Sequence, residues 1–214
     1  MKGLLIKDYL TIKKKYGITR LVMDIAIIVA LMLVLEGAGS IYVSFLLIPI
    51  EVTSMIISLT TCDEQWKWGK YAISLPLSKK QIVQSRYLFA FIMSLTGLIV
   101  ALVINTISYF CFPQYAYGFY LFIAFAAFGV TLLFLAFILP SNYSLGVNAG
   151  FAAMIVLVIV IIALGFWSKM TGDAIMWFVV DNFELCMAGS FIAVIVLCVF
   201  SYMTSIIFFN RKHA

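Results

Sequence analysis

The chain has 214 residues, of which 65% are hydrophobic and only 11% are charged, and its mean hydropathy is +1.15. An ordinary soluble domain has about 25% charged residues, so this composition excludes a soluble globular fold and indicates an integral membrane protein. The formal net charge is +5, but in a membrane protein the positions of Lys and Arg are more informative than their sum.

The first predicted element, residues 2–17, is too short and too charged to cross a membrane. On a helical wheel, four large side chains share one arc: Leu5, Tyr9, Ile12 and Tyr16. The opposite side carries Lys7, Asp8, Thr11, Lys14 and Lys15. This pattern predicts a basic amphipathic helix in the inner membrane interface. A basic tail that only directs topology is the alternative.

Six apolar runs follow, each close to the roughly 20 residues that a helix needs to cross the hydrocarbon. They cover residues 18–36, 41–62, 86–111, 119–139, 147–167 and 186–209. Period-2 alternation is absent, which favours helices over the strands of a membrane barrel. The predicted fold is therefore all-α and integral to the membrane, with one transmembrane domain over residues 1–214.

The positions of Lys and Arg predict the orientation of these spans. Thirteen of the fourteen fall near the N-terminus, between spans two and three, or after the last span, and only Lys169 falls elsewhere. The positive-inside rule then places both termini and residues 63–81 in the cytosol. Residues 168–185 form the main external segment, where Trp177 to Val180 favour a short helix associated with the membrane.

The second half of the 63–81 connection predicts the start of a helix. Ser78 and Gln81 have the spacing of a capping box, and Leu77 and Ile82 have that of a hydrophobic staple. A helix should therefore begin at Lys79 and continue into the third span.

The first half of the connection is richer in large aromatic side chains than a solvated loop requires. Trp66, Trp68 and Tyr71 lie between an acidic pair and Pro76. Aromatic anchoring in the membrane interface explains them as well as a docking surface for another protein does.

The connection resembles that of the membrane subunit of type-two ABC exporters, in particular the small bacterial permeases related to exporters of phenol-soluble modulins and antimicrobial peptides. The resemblance rests on Asp63, Glu64, Trp68, Tyr71, Ala72, Ser74, Leu75, Pro76, Ser78, Lys79, Lys80, Ile82 and Val83, together with the opening MKGLLIKDYLTIKK. It covers essentially the whole chain. It implies a bacterial plasma-membrane protein whose 63–81 connection carries a coupling helix seated on a separate ATPase subunit.

Further expectations follow from this resemblance. The residues expected to couple to the ATPase are Asp63, Glu64, Trp66, Trp68, Tyr71, Ser74, Leu75 and Pro76. The N-terminal helix is expected to be the family's elbow helix, the permease to work as a homodimer or heterodimer, and the cargo to be an amphipathic peptide or another hydrophobic compound. The chain has no G-x-x-x-x-G-K-[ST] motif, so ATP and Mg²⁺ are expected on the partner subunit. No cofactor, metal or nucleic acid is expected on this chain.

Glu51 is the most unusual polar residue within a predicted span, two residues after Pro49. An ionised carboxylate at that depth costs about 3 kcal/mol on insertion scales, so it should face protein or water. One interpretation places Glu51, Pro49 and Asn105 in a translocation path or dimer seam. The other gives Glu51 a structural hydrogen bond to another helix, with Asn105 or Thr106 as its partner.

Three other polar residues have local interpretations. Asp24 follows Arg20 at the i,i+4 spacing of a helical ion pair. Asn142 and Asn148 lie after Pro140, where both are expected to cap helices at a cytosolic turn.

Other classes of membrane protein are less consistent with the sequence. The single histidine, His213, lies next to the C-terminus, so no His is available as a base within the membrane. The four cysteines lack metal-ligand spacing, and an enzyme is therefore not expected. A self-contained channel or secondary transporter, and a membrane immunity or sensor subunit, remain as alternatives to the exporter permease.

Overall fold

The computed structural model describes residues 2–35, 39–74, 76–170 and 182–212, and the regular elements in these ranges are all helical. In chain order they are α1 (Lys2–Lys15), α2 (Ile18–Leu35), α3 (Gly39–Tyr42), α4 (Ile48–Gln65), α5 (Trp68–Ser74), α6 (Lys79–Cys111), α7 (Tyr117–Leu145), α8 (Val147–Met170) and α9 (Phe183–Lys212). A π-helical turn, Val43–Leu47, joins α3 to α4. The all-α prediction is confirmed for this part of the chain. Leu75 and the predicted external helix at 177–180 lie outside the described residues.

Four helices in the described ranges are long and apolar enough to cross a membrane. They are Val43–Gln65, Lys79–Cys111, Tyr117–Leu145 and Ala188–Arg211. Two further apolar helical stretches, Val22–Val34 and Val147–Ala163, are shorter. A multi-pass membrane protein follows from these lengths, whereas crossing by α2 and α8, and with it the count of six spans, stays a prediction.

Helix α7 occupies the centre of the bundle and packs against α4, α6, α8 and α9. Small side chains on α7, including Ala124 and Ala127, are buried and allow neighbouring helices to approach closely. Phe134 and Ile138 of α7 pack with Ile57 of α4 and with Val147 of α8. The large side chains on the outer faces of α2, α6, α8 and α9 are exposed and apolar, as expected for helices that contact lipid.

The helix that carries Pro49 begins with the π-helical turn. Proline has no N–H to donate, and its ring clashes with the carbonyl four residues earlier in a regular α-helix. A π turn directly before the proline widens the backbone and changes its hydrogen-bond partners. Pro49 is therefore buried in the first turn of α4 without breaking the helix.

Helix α7 continues through Pro140 to Leu145, past the predicted end of the fourth span at residue 139. Asn142 consequently lies inside α7, and the prediction that it caps a helix at a turn after Pro140 is wrong. Its backbone carbonyl accepts the N–H of Gly146 at 3.1 Å, and its side-chain amide lies 3.4 Å from Thr60 Oγ1. A single proline removes one backbone hydrogen bond, which packing of the surrounding turns offsets. Asn148 is the second residue of α8.

Helix α1 lies against the end of the bundle that also carries α5 and the α7–α8 turn, called the α5 end below. Leu4 and Asp8 of α1 are buried, and Leu5 and Ile12 pack partly against the core. The exposed side chains include Ile6, Tyr9 and Leu10. Part of the polar side of α1 therefore faces the protein, while an apolar strip is left on its outer surface.

Candidate functional site

A two-residue turn, Trp66 and Lys67, separates α4 from α5. The N–H of Trp66 bonds the carbonyl of Cys62 at 3.0 Å, and the N–H of Lys67 bonds that of Glu64 at 3.1 Å. Lys67 has a φ of 52°, a left-handed conformation that costs a non-glycine residue about 1 kcal/mol. Because α4 ends at this turn, Trp66 and Trp68 do not lie on one continuous helix, and they occupy different environments.

Four charged side chains form a network beneath α5, which we call the charged network: Lys7, Asp8, Asp63 and Arg86. Lys7 Nζ lies 2.9 Å from Asp8 Oδ1 and 2.8 Å from Asp63 Oδ1. Arg86 Nη1 lies 3.3 Å from Asp8 Oδ2, and Arg86 Nη2 pairs with Asp63 Oδ2. Two cations and two anions balance, so these largely buried charges compensate one another. The network joins α1, α4 and α6.

Glu64, the neighbour of Asp63, points to a different helix. Its Oε1 accepts the backbone N–H of Val147 at 3.2 Å, at the first residue of α8. A carboxylate at a helix N-terminus satisfies a free N–H group and complements the helix dipole. The acidic pair at the end of α4 is thus engaged within the chain, and it fixes the position from which α5 departs.

Helix α5 buries one side and exposes the other. Ala72 is fully buried, in a cluster with Ile82, Val83 and Phe209. Trp68 is half-buried, its ring 5.2 Å from that of Tyr71, and Lys7 Nζ lies 4.4 Å from its centroid. Trp66 and Tyr71 remain 59% and 57% exposed. Ser74, whose hydroxyl bonds the carbonyl of Tyr71, and Pro76 are exposed beside them.

A partly open recess of about 240 Å³ lies between α5 and the charged network. Leu4 and Lys7 of α1, Trp68 of α5, Arg86 of α6 and Tyr143 of α7 contribute to its walls. The packing beneath α5 is therefore incomplete on the side of α1.

The predicted start of α6 is confirmed. Ser78 Oγ accepts the N–H of Gln81 at 3.3 Å, and Gln81 Oε1 accepts the N–H of Ser78 at 3.0 Å, which completes the capping box. Leu77 packs against the cluster that contains Ile82, as the hydrophobic staple requires. This cap fixes where α6 begins.

Glu51 pairs with Arg20 of α2. Arg20 Nη2 lies 2.9 Å from Glu51 Oε2 and 3.3 Å from Ser54 Oγ, while the guanidinium carbon lies 4.3 Å from the Tyr16 ring centroid. The two charged side chains stay 44% and 25% exposed. The i,i+4 pairing expected between Arg20 and Asp24 is replaced by this bond between helices.

Glu51 bonds another helix, as one interpretation predicts, but the suggested partners Asn105 and Thr106 are wrong, because the partner is Arg20 of α2. The face of α4 that meets α6 carries Ile48 and Val52, which contact the helix near Gly97, so Glu51 points to the side and Asn105 lies further along α6. Asn105 instead accepts the Ser44 hydroxyl at 3.2 Å and donates to the carbonyl of Tyr120 at 3.2 Å. It is buried in contacts between helices, away from Glu51.

Sequence reasoning placed Asp63 and Trp68 in one site with Glu64, Trp66, Tyr71, Ser74 and Pro76, and the structure brings these residues together around α5. Sequence reasoning did not find Lys7, Asp8, Arg86 or Tyr143. The available signals were Asp8, the one acid in a basic helix, and Arg86, a cation at the entry of an apolar run. Glu51, Pro49 and Asn105 lie in three separate environments.

Together, these observations define a multi-pass membrane protein whose α5 end carries a charged network and exposed aromatic side chains. The family comparison agrees: residues 3–210 match the ABC-2 family transporter protein model, and the chain belongs to this family. It is therefore a membrane permease of the ABC transporter type. Searches of curated proteins and of solved structures found no match. No group of side chains suited to a metal ion occurs among the described residues.

Proposed function

We propose that this chain is the membrane half of an ATP-driven exporter whose ATPase is a separate subunit that docks on α5. The α5 end and both termini face the cytosol of a bacterial cell, ATP and Mg²⁺ bind the partner, and two permease copies enclose the path. The expected cargo is an amphipathic or antimicrobial peptide or another hydrophobic compound, in keeping with the largely apolar interior.

The observation that carries this proposal is the pair of exposed aromatic residues Trp66, in the α4–α5 turn, and Tyr71, on α5, next to the largely buried charged network. Large aromatic side chains are the residues that most often anchor protein interfaces. Asp63 and Glu64 are engaged within the chain, so their contribution is to hold α5 in place. The docking surface itself consists of Trp66, Tyr71, Ser74 and Pro76.

The position of the Arg20–Glu51 pair supports the shared path. Lys15 Nζ lies 3.9 Å from Cys62 Sγ, which places the end of α1 beside the last turns of α4. Tyr16, directly after α1, lies 3.2 Å from Ser54 Oγ, one turn of α4 from Glu51, so the pair lies near the α1–α2 junction at the proposed inner interface. The pair stays partly exposed there, and we infer that this face meets either water at the mouth of a path or a second copy.

Site-specific photocrosslinking tests the docking surface. A photoreactive amino acid at Trp66 or Tyr71 should crosslink an ATPase subunit in native membranes, whereas the same group at Tyr115, an exposed aromatic outside the α5 end, should not. An ATPase found crosslinked equally from all three positions would contradict the proposal. So would purified chain that conducts ions or solutes through vesicles with no ATPase present, which is the behaviour of a channel.

A further inference from the structure

An apolar crevice of about 320 Å³ opens on the side of the bundle between α6, α7 and α9, and we call it the α6–α9 crevice. Leu132 and Ala136 of α7, Leu88 and Phe91 of α6 and Cys198 of α9 contribute to its walls. Leu88 and Phe91 are exposed, and all three helices are long and apolar enough to cross a membrane. The crevice therefore opens toward lipid.

Contacts between helices fix the shape of the crevice. The Tyr87 hydroxyl of α6 lies 2.7 Å from both Ser201 Oγ and Ser205 Oγ of α9, which joins the two helices toward the α5 end. On the other side of the crevice, Phe91 packs edge-to-face on Phe128 of α7, with 6.3 Å between the ring centroids. The crevice is therefore bounded by specific contacts at both ends, and it is a preformed feature of the bundle.

The rim of the crevice at the α5 end is polar and cationic. Gln84 lines the crevice and is exposed, and Lys80 precedes it by four residues, on the same face of α6. Lys80 is exposed and takes part in none of the ion pairs between described residues. Arg86, which belongs to the charged network, lies about 120° further around the helix. The carboxylates of the charged network therefore do not compensate the charge of Lys80.

The length of α6 places this rim at the depth of lipid head groups. Its 33 residues extend for about 50 Å at 1.5 Å per residue, whereas the hydrocarbon layer is about 30 Å thick. Both ends of α6 therefore reach the polar region of the bilayer. Lys80 and Gln84 lie in the first two turns of α6, and Leu88 and Phe91 lie deeper. A phosphate at the rim and an acyl chain in the crevice match this order.

We propose that the α6–α9 crevice binds one anionic phospholipid from the leaflet at the α5 end. Lys80 and Gln84 bind its phosphate, and one acyl chain lies between α6, α7 and α9. The acyl chain supplies contacts to apolar side chains that otherwise line unfilled volume. The Lys80 ammonium favours an anionic head group over a zwitterionic one, because a basic side chain near the membrane surface attracts negative lipid charge. The site requires only the membrane-spanning helices, so its absence would leave the proposed function intact.

Photocrosslinking with a labelled lipid tests where the acyl chain lies. The unmodified full chain is reconstituted in phosphatidylcholine vesicles that contain a small fraction of phosphatidylglycerol with a diazirine in one acyl chain, and the adducts are mapped by mass spectrometry. Labelling of Leu88 and Phe91 should exceed that of Ile155 several-fold. Ile155 is the matched reference, because it is exposed and lies as far into α8 as Leu88 lies into α6.

Lipid titration tests the preference for the head group. The delipidated chain in detergent is titrated with phosphatidylglycerol or with phosphatidylcholine of the same acyl chains, and native mass spectrometry records the bound fraction. Phosphatidylglycerol should bind about fivefold more tightly, as one lysine near the membrane surface allows. Lys80→Gln should remove this preference. Lys70→Gln, which removes the same charge from an exposed lysine of α5, should keep it.

Three results would overturn the inference. Equal labelling of Leu88, Phe91 and Ile155 would show general lipid contact without a site. Equal affinity of the unmodified chain for the two lipids, or a preference that survives Lys80→Gln, would exclude recognition of the head group by Lys80. With the native cysteines replaced, a disulfide between two copies that carry Leu88→Cys would assign the crevice to a second copy of the chain.

Discussion

Glu64 and Val147 join two helices that are far apart in sequence: the Glu64 carboxylate accepts the Val147 N–H at 3.2 Å, which connects the last turn of α4 to the first residue of α8. Gly146 lies directly before Val147, with a φ of 89°, and a Cβ added there would lie 3.0 Å from Glu64 Oε1. The α7–α8 turn therefore depends on a glycine for its backbone and on a carboxylate from α4 for its hydrogen bond.

Substitution of Gly146 should destabilise the protein. Gly146→Ala forces a side chain into a conformation that glycine alone adopts freely and presses it against Glu64, at a cost of about 2 kcal/mol. Gly129→Ala is the matched control, because a Cβ at Gly129 meets nothing within 4 Å. Thermal unfolding of the purified proteins in detergent measures both. Equal unfolding midpoints for the two variants would contradict the close approach between Gly146 and Glu64.

Loss of the Asp63 carboxylate should be more damaging than loss of a carboxylate outside the charged network. Asp63→Asn leaves Lys7 and Arg86 with Asp8 as their one remaining anion in the network, and removing one partner of a buried ion pair costs about 3 kcal/mol. Asp24→Asn, on the half-buried side of α2, is the control and should unfold at nearly the wild-type temperature. The double variant Asp63→Asn with Arg86→Gln should recover part of the lost stability, because it removes one cation together with one anion. A double variant no more stable than Asp63→Asn would show that the two residues are not coupled.

The Arg20–Glu51 pair should matter for transport more than for assembly. Glu51→Gln leaves Arg20 without its ionic partner, a loss of about 1 kcal/mol for a partly exposed pair, and it should lower transport-coupled ATP hydrolysis while the complex still forms. The exchanged pair Arg20→Glu with Glu51→Arg should retain more activity than either single change. ATP hydrolysis by reconstituted complexes and copurification of the ATPase measure the two effects separately. Unchanged activity in Glu51→Gln would reduce this pair to a packing role.

The capping box of α6 should contribute measurable stability. Ser78→Ala removes the oxygen that accepts the Gln81 N–H and should cost about 1 kcal/mol, whereas Ser78→Asp keeps an acceptor and should cost less. Ser74→Ala, an exposed serine in the preceding helix, is the comparison. Thermal unfolding distinguishes the three variants, and a Ser78→Ala midpoint equal to that of Ser78→Asp would exclude a role for the cap.

Local features of the fold could be predicted from the sequence, because the residues that determine them are adjacent. The start of α6 follows from Ser78 and Gln81, which lie three residues apart, and the helical class follows from the apolar runs. The charged network joins Lys7 to Asp63, separated by 56 positions, and no periodicity indicates that pairing. Arg20 shows the same limit: the i,i+4 rule selects Asp24, but the packing of α2 against α4 brings Glu51 within reach.

The π-helical turn Val43–Leu47 also determines how the side chains of α4 are rotated about the helix axis relative to those at the start of the turn. Ser44, at the start of the turn, bonds Asn105 of α6, and Glu51, after the turn, pairs with Arg20 of α2. Deleting one residue from the turn would rotate these two directions by about 100° relative to each other, and only one alignment could then be kept. The number of residues between Gly39 and Pro49 therefore determines which helix Glu51 faces.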